Sequence, residues 1–325
     1  MTVLFAGNEQ DAFTSGSVTT WVTSTTRRRT AYTRMAMGLH STDELRAPFA
    51  PVDELYYQSQ YHWNWNPTGQ QWVRFGSVAN GTWHYVANNS SSFDLYVWNG
   101  SSWDLIVSMT PRQSMNNGNL HAYTMQLRLH VTDGLIRIWR DGVLLCEATG
   151  LDTRQSAPYD QFSLFGQRGT RSITSSASID CVSEVLISTR FPYGMGVYTR
   201  QPTGDGAATD WIGGHADLSS ASSHASASIR AAAADLDYLF THAAAIPTGL
   251  NVRGVVLGTR GLFDGTGPTG VKPLQRHADT THAGATLVLD ATEKGYPIVL
   301  DSALGGGAWT PDLVNDSQFG WRSAA

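Results

Sequence analysis

The chain has 325 residues and a formal net charge of −5, with 15% charged and 41% hydrophobic residues. A chain of this length exceeds what one hydrophobic core normally serves, so two domains are expected. The acidic balance argues against nucleic acid as a partner, since phosphate binding needs a basic surface. No apolar run approaches the ~20 residues of a membrane-spanning helix, so no membrane association is predicted.

The N-terminal third reads as short strands separated by turn residues. Residues 1–7 contain neither a basic region nor a long apolar stretch, which predicts no secretion signal. The strand-like runs are 3–13, 17–23, 54–63, 85–87, 94–98 and 103–109. Short runs of this kind, with turn signals between them, are typical of a β-sandwich.

An aromatic segment runs from Tyr61 to Trp72 and contains the turn sequence Asn66-Pro67-Thr68-Gly69. Alternation along it places Tyr61, Trp63 and Trp65 on one face. The aromatic side chains of this segment are candidates either for packing or for contact with a ligand, and both interpretations stay open.

The clearest pattern lies between Leu120 and Glu147. From Tyr123 to Val131 the odd positions are apolar and the even ones polar, the period of a half-buried strand. Asp133-Gly134 and Asp141-Gly142 then interrupt the pattern with a dipeptide suited to positive φ in tight turns. The segment therefore predicts three strands in an antiparallel meander.

The run Ile136-Arg-Ile-Trp-Arg-Asp-Gly-Val-Leu-Leu145 within this meander is similar to the central hairpins of laminin-G-like, or concanavalin A-like, domains. That resemblance implies a jelly roll of two curved antiparallel sheets packed face to face. The fold hosts lectins, glycosidases and adhesion modules, so the resemblance leaves the function open.

A second, smaller β-sandwich is predicted for the rest of the chain. After strands at 161–166 and 179–188, a turn near 191–194 marks the end of the first domain, which gives domains 1–195 and 196–325. Residues 213–234 are rich in Ser and Ala and read as a surface loop, with one or two helical turns over 229–235. The later strand-like runs are 236–240, 250–259, 271–277, 286–290, 297–301 and 318–321.

Motifs at the end of the first domain and at the C-terminus resemble one family of bacteriophage virion proteins. In chain order they are Val182-Ser-Glu-Val-Leu-Ile187, Gly194-Met-Gly-Val197, Pro202-Thr-Gly-Asp-Gly206, Thr209-Asp-Trp-Ile-Gly213 and the segment Ala308 to Trp321. The resemblance implies a tail-fibre, head-spike or decoration subunit on the surface of a phage or gene-transfer particle, made in the bacterial cytoplasm. It also implies other virion proteins as partners and a homo-oligomer, with a trimer as first choice and a pentamer next.

No catalytic residues are predicted. Glycosidases of the jelly-roll type place two Glu on one strand face, but none of the six Glu here stands two or four residues from another. A Gly-x-Ser-x-Gly nucleophile turn is also absent. A glycan-degrading enzyme therefore remains only the third reading, and Asp-based carboxylate pairs stay open.

Metal and cysteine chemistry receive little support. The segment His277 to His282 has ligand-type residues but no further cluster beside it, so it is read as a loop and no metal or cofactor is predicted. Calcium stays open, since Asp94, Asp104 and Asp133 lie in suitable turns. The two cysteines, Cys146 and Cys181, are read as buried thiols, with a disulfide as the alternative.

The remaining chemistry favours binding. Sugars have polar edges and apolar ring faces, so their sites combine aromatic side chains with amide and guanidinium groups. The predicted carbohydrate-binding residues are Tyr61, Trp63, Trp65, Trp72, Trp98, Trp103, Arg137 and Trp139. We therefore expect a virion-surface protein that binds a host capsular or cell-surface polysaccharide. The alternative is a purely structural virion subunit.

Overall fold

The computed structural model of the chain describes residues 2–7, 15–16, 20–22, 36–39, 44–62, 70–77, 81–89, 91–113, 120–153, 157–165, 180–192, 194–198, 200–218, 228–242 and 246–325. The chain divides into two compact units, Met1–Val197 and Tyr198–Ala325. Each unit has hydrophobic clusters of its own and consists almost entirely of antiparallel strands in the described residues. The predicted all-β fold class is confirmed.

The strands of the first unit are β1 Val3–Gly7, β2 Ser15–Gly16, β3 Thr20–Val22, β4 Ala36–Leu39, β5 Glu44–Val52, β6 Glu54–His62, β7 Gln70–Ser77, β8 Thr82–Asn89, β9 Ser92–Trp98, β10 Trp103–Met109, β11 Leu120–Arg128, β12 Gly134–Arg140, β13 Val143–Leu151, β14 Tyr159–Phe165 and β15 Asp180–Ser188. An eight-stranded sheet has the order β13-β12-β11-β6-β15-β4-β3, and β1 also pairs with β15. A seven-stranded sheet has the order β10-β9-β8-β7-β14-β5-β2. Apolar side chains of both sheets meet in one core, which is the arrangement of a jelly-roll sandwich.

Buried aromatic rings join the two sheets. Trp72 of β7 makes edge-to-face contacts with Tyr57 of β6 at 5.7 Å and with Tyr123 of β11 at 5.8 Å between ring centroids. All three side chains are fully buried. The prediction that Trp72 belongs to a carbohydrate site is therefore wrong, because no part of its ring is open to a ligand. A register shift between Gln71 and Val73 opposite β8 explains how Trp72 joins the core beside its neighbour Val73.

The central meander is present as β11, β12 and β13, and its two turns differ. Asp141 and Gly142 both have positive φ, 50° and 80°, as the dipeptide predicts. Gly134 instead begins β12, where an added Cβ would lie 2.7 Å from the carbonyl oxygen of Leu151. Glycine is therefore needed at position 134 because two strands approach each other closely there, and not because the backbone adopts a positive φ.

The second unit is a smaller sandwich. Its elements are β16 Pro202–Thr209, α1 His215–Leu218, β17 Asp237–His242, β18 Val255–Gly261, β19 Gly270–His277, β20 Thr280–Ala283, β21 Leu287–Val288, β22 Lys294–Leu300, α2 Pro311–Asn315 and β23 Gln318–Ala324. A six-stranded sheet has the order β16-β17-β23-β19-β20, with β21 also paired to β19, and β18 pairs with β22 alone. Leu257 and Ile298 of that pair pack against Tyr238, Phe240 and Trp321 of the larger sheet.

The Gly-rich motif 202–206 is part of strand β16, which pairs with β17. One local expectation in the second unit is wrong. Residues 229–235 form no helix, since Arg230 makes an isolated bridge with Ile212. The helices within the described residues are four and five residues long. None of them is long and apolar enough to cross a membrane.

Candidate functional site

The eight predicted binding residues do not come together in one site. Trp63 and Trp65 lie outside the described residues, and Tyr61 is described only as a backbone position near the end of β6. Trp72 is in the core. The other four divide between the two sheets: Trp98 and Trp103 belong to the seven-stranded sheet, and Arg137 and Trp139 to the eight-stranded sheet.

Arg137 is held in a ladder of polar side chains on the outer face of its sheet. Its Nε donates to Glu147 Oε2 at 3.0 Å, and one terminal nitrogen donates to Gln126 Oε1 at 3.4 Å. Gln126 in turn donates to Glu54 Oε1 at 2.5 Å. The ladder links β6, β11, β12 and β13, so the guanidinium of Arg137 already has partners within the sheet.

The segment that follows β15 covers part of this outer face. Gln58 donates to the carbonyl oxygen of Met195 at 3.2 Å, and the amide of Val197 donates to Glu184 at 3.1 Å. Gln58 and Glu184 are consequently buried, although they belong to the outer side of the sheet. In the same region the ring of Trp139 lies 4.8 Å from that of Phe191, which also follows β15. We therefore assign Trp139 a packing role.

The outer face of the seven-stranded sheet carries a different aromatic cluster. Alternation along β9 directs every second side chain into the core and leaves Tyr96 and Trp98 outside. Tyr85 of β8 stacks on Tyr96 at 4.6 Å with an interplanar angle of 15°. Trp103 of β10 lies 4.5 Å from Tyr85 and 5.3 Å from Trp98. These four partly exposed side chains form what we call the aromatic patch.

Trp83 and Arg74 extend the patch toward β7. Trp83 lies two residues before Tyr85 and thus on the same face of β8. Its ring lies over Gly76, where an added Cβ would approach it to 2.2 Å. The guanidinium of Arg74 lies over the Trp83 ring at 4.4 Å from the centroid, a cation–π contact. Gly76 therefore creates the space in which Trp83 lies flat along the sheet.

The polar groups beneath the patch are already bonded. Asp94 is only 5% exposed, and its Oδ1 accepts from the Ser108 hydroxyl at 2.5 Å. Burial, the neighbouring Tyr96 and the charge of Asp94 raise the pKa of Tyr85 to about 12. Burial and Asp94 also raise the pKa of Tyr96. Both phenols are therefore protonated at neutral pH, and a hydrogen bond from the Tyr96 hydroxyl to Asp94 adds to the rise at Tyr96.

The turn that joins β9 to β10 fixes the two tryptophans of the patch. Asn99 Oδ1 accepts from the amides of Ser101 and Ser102 at 2.9 and 2.8 Å, and its Nδ2 donates to Asp104 at 3.0 Å. Gly100 has a φ of 100°, which its lack of a side chain permits. A turn with its polar groups satisfied in this way holds Trp98 opposite Trp103.

The described residues contain no set of metal ligands. No group of three or more His, Cys, Asp or Glu side chains among them could hold an ion. Of the Asp residues considered for calcium, Asp94 and Asp104 accept the hydrogen bonds given above, and Asp133 pairs with Arg128 at 2.8 Å. Cys146 is a free thiol whose pKa burial raises to about 12, so it is protonated and weakly nucleophilic at neutral pH.

Two of the four residues of the aromatic patch follow from the sequence and two do not. Trp98 and Trp103 were predicted because both adjoin a turn. Tyr85 and Tyr96 were missed, although each is separated from the next aromatic residue on its strand by a single inward-facing position. Extension of the period-two pattern to β8 and β9, together with cross-strand pairing, would have indicated them.

Comparisons with known proteins give distant structural likenesses. No protein-family model and no curated protein matches the chain. Among solved structures, the chain is similar to domain 4 of the extracellular arabinanase AbnA from Geobacillus stearothermophilus, in complex with arabinotriose. That likeness has 11% identity, covers 57% of this chain and 91% of the other, and has a TM-score of 0.37.

Two further likenesses are of the same kind. The exoplasmic/lumenal domain of VIP36 in its Ca2+/Man-bound form has 10% identity, with 57% and 85% of the chains covered and a TM-score of 0.35. The CBM2 module of the evolved Dit of Lactobacillus casei BL23 phage J-1 has 10% identity, with 45% and 68% covered and a TM-score of 0.30. The fold assignment therefore rests on the sheet order described above. The resemblance to phage virion proteins stays a prediction.

Proposed function

We propose that the first unit binds polysaccharide through the aromatic patch. The observation that carries this proposal is the cluster of Tyr85, Tyr96, Trp98 and Trp103 on a sheet face, with ring centroids 4.5 to 5.3 Å apart. Flat aromatic surfaces match the apolar faces of sugar rings, and phenol and indole groups supply donors for sugar hydroxyls. The ring contacts within the cluster restrict the four side chains before binding, which limits the side-chain entropy lost when a ligand binds.

Affinity electrophoresis in gels containing host capsular polysaccharide or lipopolysaccharide tests this proposal. Trp103→Ala and Trp98→Ala should abolish the retardation of the wild-type protein while its circular-dichroism spectrum stays unchanged. Trp139→Ala is the matched control, since it removes an indole from the outer face of the other sheet. Equal retardation of all four proteins would contradict the proposal.

We further propose that the bound polysaccharide belongs to a bacterial host and that the protein lies on the surface of a phage or gene-transfer particle. The support is the order of sequence motifs along the chain. In the second unit some of these motif residues stabilise the fold: Trp211 Nε1 donates to the carbonyl oxygen of Leu236 at 2.9 Å, and Tyr238 donates to Asp205 at 2.5 Å. Immunogold labelling of purified particles tests the location, and absence of label would contradict it.

A purely structural virion subunit is the second candidate. Leu105 of β10 pairs with Tyr96 and is 51% exposed, so it adds apolar surface beside the patch. Such surface also suits contact with another protein. In that case the wild-type protein would show no retardation in polysaccharide gels, and Leu105→Asp would disrupt assembly.

A further inference from the structure

A cleft lies where the edges of the two sheets of the first unit approach each other. Strand β10 ends the seven-stranded sheet and β13 ends the eight-stranded one. Between them is a cleft of about 320 Å³, lined among others by Ser108, Met109, Arg112, Leu145 and Glu147. Apolar groups form part of its wall, and one cation and one carboxylate lie at its rim.

The aromatic patch continues into this cleft along β10. The pairing of β9 with β10 places Trp98 opposite Trp103, Tyr96 opposite Leu105 and Asp94 opposite Ser108. Ser108 therefore belongs to both features, since its hydroxyl bonds to Asp94 under the patch and it also lines the cleft. A strand rises about 3.3 Å per residue, so this row from Trp103 to Ser108 is about 15 Å long, allowing for its bulge. That length suits an extended polymer better than a single sugar.

Arg112 supplies a positive charge at the far end of this row. Its backbone amide donates to the carbonyl oxygen of Leu145 at 2.9 Å, which ties the chain after β10 to β13. Its side chain is exposed, and no carboxylate in the described part of the chain lies within ion-pair distance of its guanidinium. The other charged group of the cleft, Glu147, is paired with Arg137 at 3.0 Å.

We propose that the ligand of the patch is an acidic polysaccharide that lies along β10 and places a carboxylate against Arg112. This inference rests on the proposed function of the patch. It adds the charge of the polysaccharide and the direction in which the polysaccharide lies on the sheet. A guanidinium binds a carboxylate through two parallel hydrogen bonds, which a neutral sugar cannot reproduce. Asp94 is only 5% exposed and accepts from Ser108 beneath the patch, so its carboxylate would not contact such a ligand directly.

The test compares uronic-acid polymers with their neutral counterparts. Wild-type protein is titrated calorimetrically with polygalacturonate, alginate and hyaluronan, and with the carboxyl-reduced form of each. At least one acidic polymer should bind more tightly than its reduced form, and its oligosaccharides should gain affinity with length until the row is filled. Arg112→Gln should weaken that binding about tenfold, since hydrogen bonds to charged groups are the stronger ones. It should leave binding of the reduced form unchanged.

Arg128→Gln is the matched control, since it removes one positive charge from the other sheet, where Arg128 pairs with Asp133. Loss in both variants, loss in neither, or preference for the reduced polymers would overturn the acidic assignment. Binding of neutral polymers alone would leave the proposed function standing. Failure to bind any of these polymers would overturn the acidic assignment, and the absence of retardation by host polysaccharides as well would remove the proposed function.

Discussion

At the scale of single residues, Gly76 determines how Trp83 lies on the sheet. An added Cβ would approach the indole to 2.2 Å, so Gly76→Ala should displace Trp83 from beneath Arg74. We expect a loss of roughly 1–3 kcal/mol in the free energy of unfolding, the usual cost of overpacking. Urea denaturation, monitored by tryptophan fluorescence, measures this loss.

The control for Gly76→Ala is Gly261→Ala in β18. A Cβ there would meet only Leu289 at 3.8 Å, an ordinary contact. A similar loss of stability in both variants would mean that the ring of Trp83 moves aside freely.

We predict that the stability of the second unit depends on pH because His242 is buried. Burial, and secondarily the charge of Arg200, lower its pKa from 6.5 to about 4. The unfolded chain therefore binds a proton that the folded chain excludes, and stability falls as pH decreases from 6.5 to 4. The loss from this residue approaches about 3 kcal/mol. Urea titrations at several pH values measure this effect. The free energy of unfolding should fall less between pH 6.5 and 4 in His242→Gln than in the wild type. An equal fall in both proteins would contradict the assignment.

At the scale of elements, the hairpin between β19 and β20 contains a strained residue. Ala278 and Asp279 have φ of 47° and 64°, a conformation that costs a residue with a side chain about 1–2 kcal/mol. Ala278→Gly should therefore raise the free energy of unfolding by roughly 1 kcal/mol. Ala283→Gly, within β20, should lower it by roughly 0.5–1 kcal/mol. Thermal unfolding of both variants tests these two predictions. Destabilisation by Ala278→Gly would show that the turn is not strained.

The sequence predicted best those elements whose pattern is local. Strand β10 was predicted over Trp103 to Met109 and is found there, because alternation and the Asn99 turn lie within a few residues. Strands β5, β7 and β16 were missed. Each has a pairing partner distant in sequence, β14 for β5 and β7 and β17 for β16, and Gly or Pro within β5 and β16 obscures the pattern.

The candidate site shows the same division. Trp98 and Trp103 adjoin a turn, so their place near the surface followed from the sequence. The burial of Trp72 depends on a register shift opposite β8, and the cluster with Tyr85 depends on the pairing of three strands. Neither can be read from one strand alone.

At the scale of the whole molecule, we expect several copies to act together. A shallow sugar site on a sheet face binds weakly, and linked copies raise apparent affinity about 10²–10⁴-fold without new contacts. We therefore predict a homo-oligomer, with a trimer as first choice and a pentamer next. Light scattering coupled to size-exclusion chromatography at micromolar concentration measures the oligomeric state. A monomer would contradict self-assembly in solution.

The most direct test of the central proposal locates a polysaccharide on the protein itself. All 11 tryptophans can be replaced by 5-fluorotryptophan, and single Trp→Phe variants assign their fluorine NMR signals. On addition of a polysaccharide that retards the protein in gels, the signals of Trp98 and Trp103 should shift, while those of the buried Trp72 and of Trp139 should not. Shifts at Trp139 with none at Trp98 and Trp103 would contradict binding at the aromatic patch.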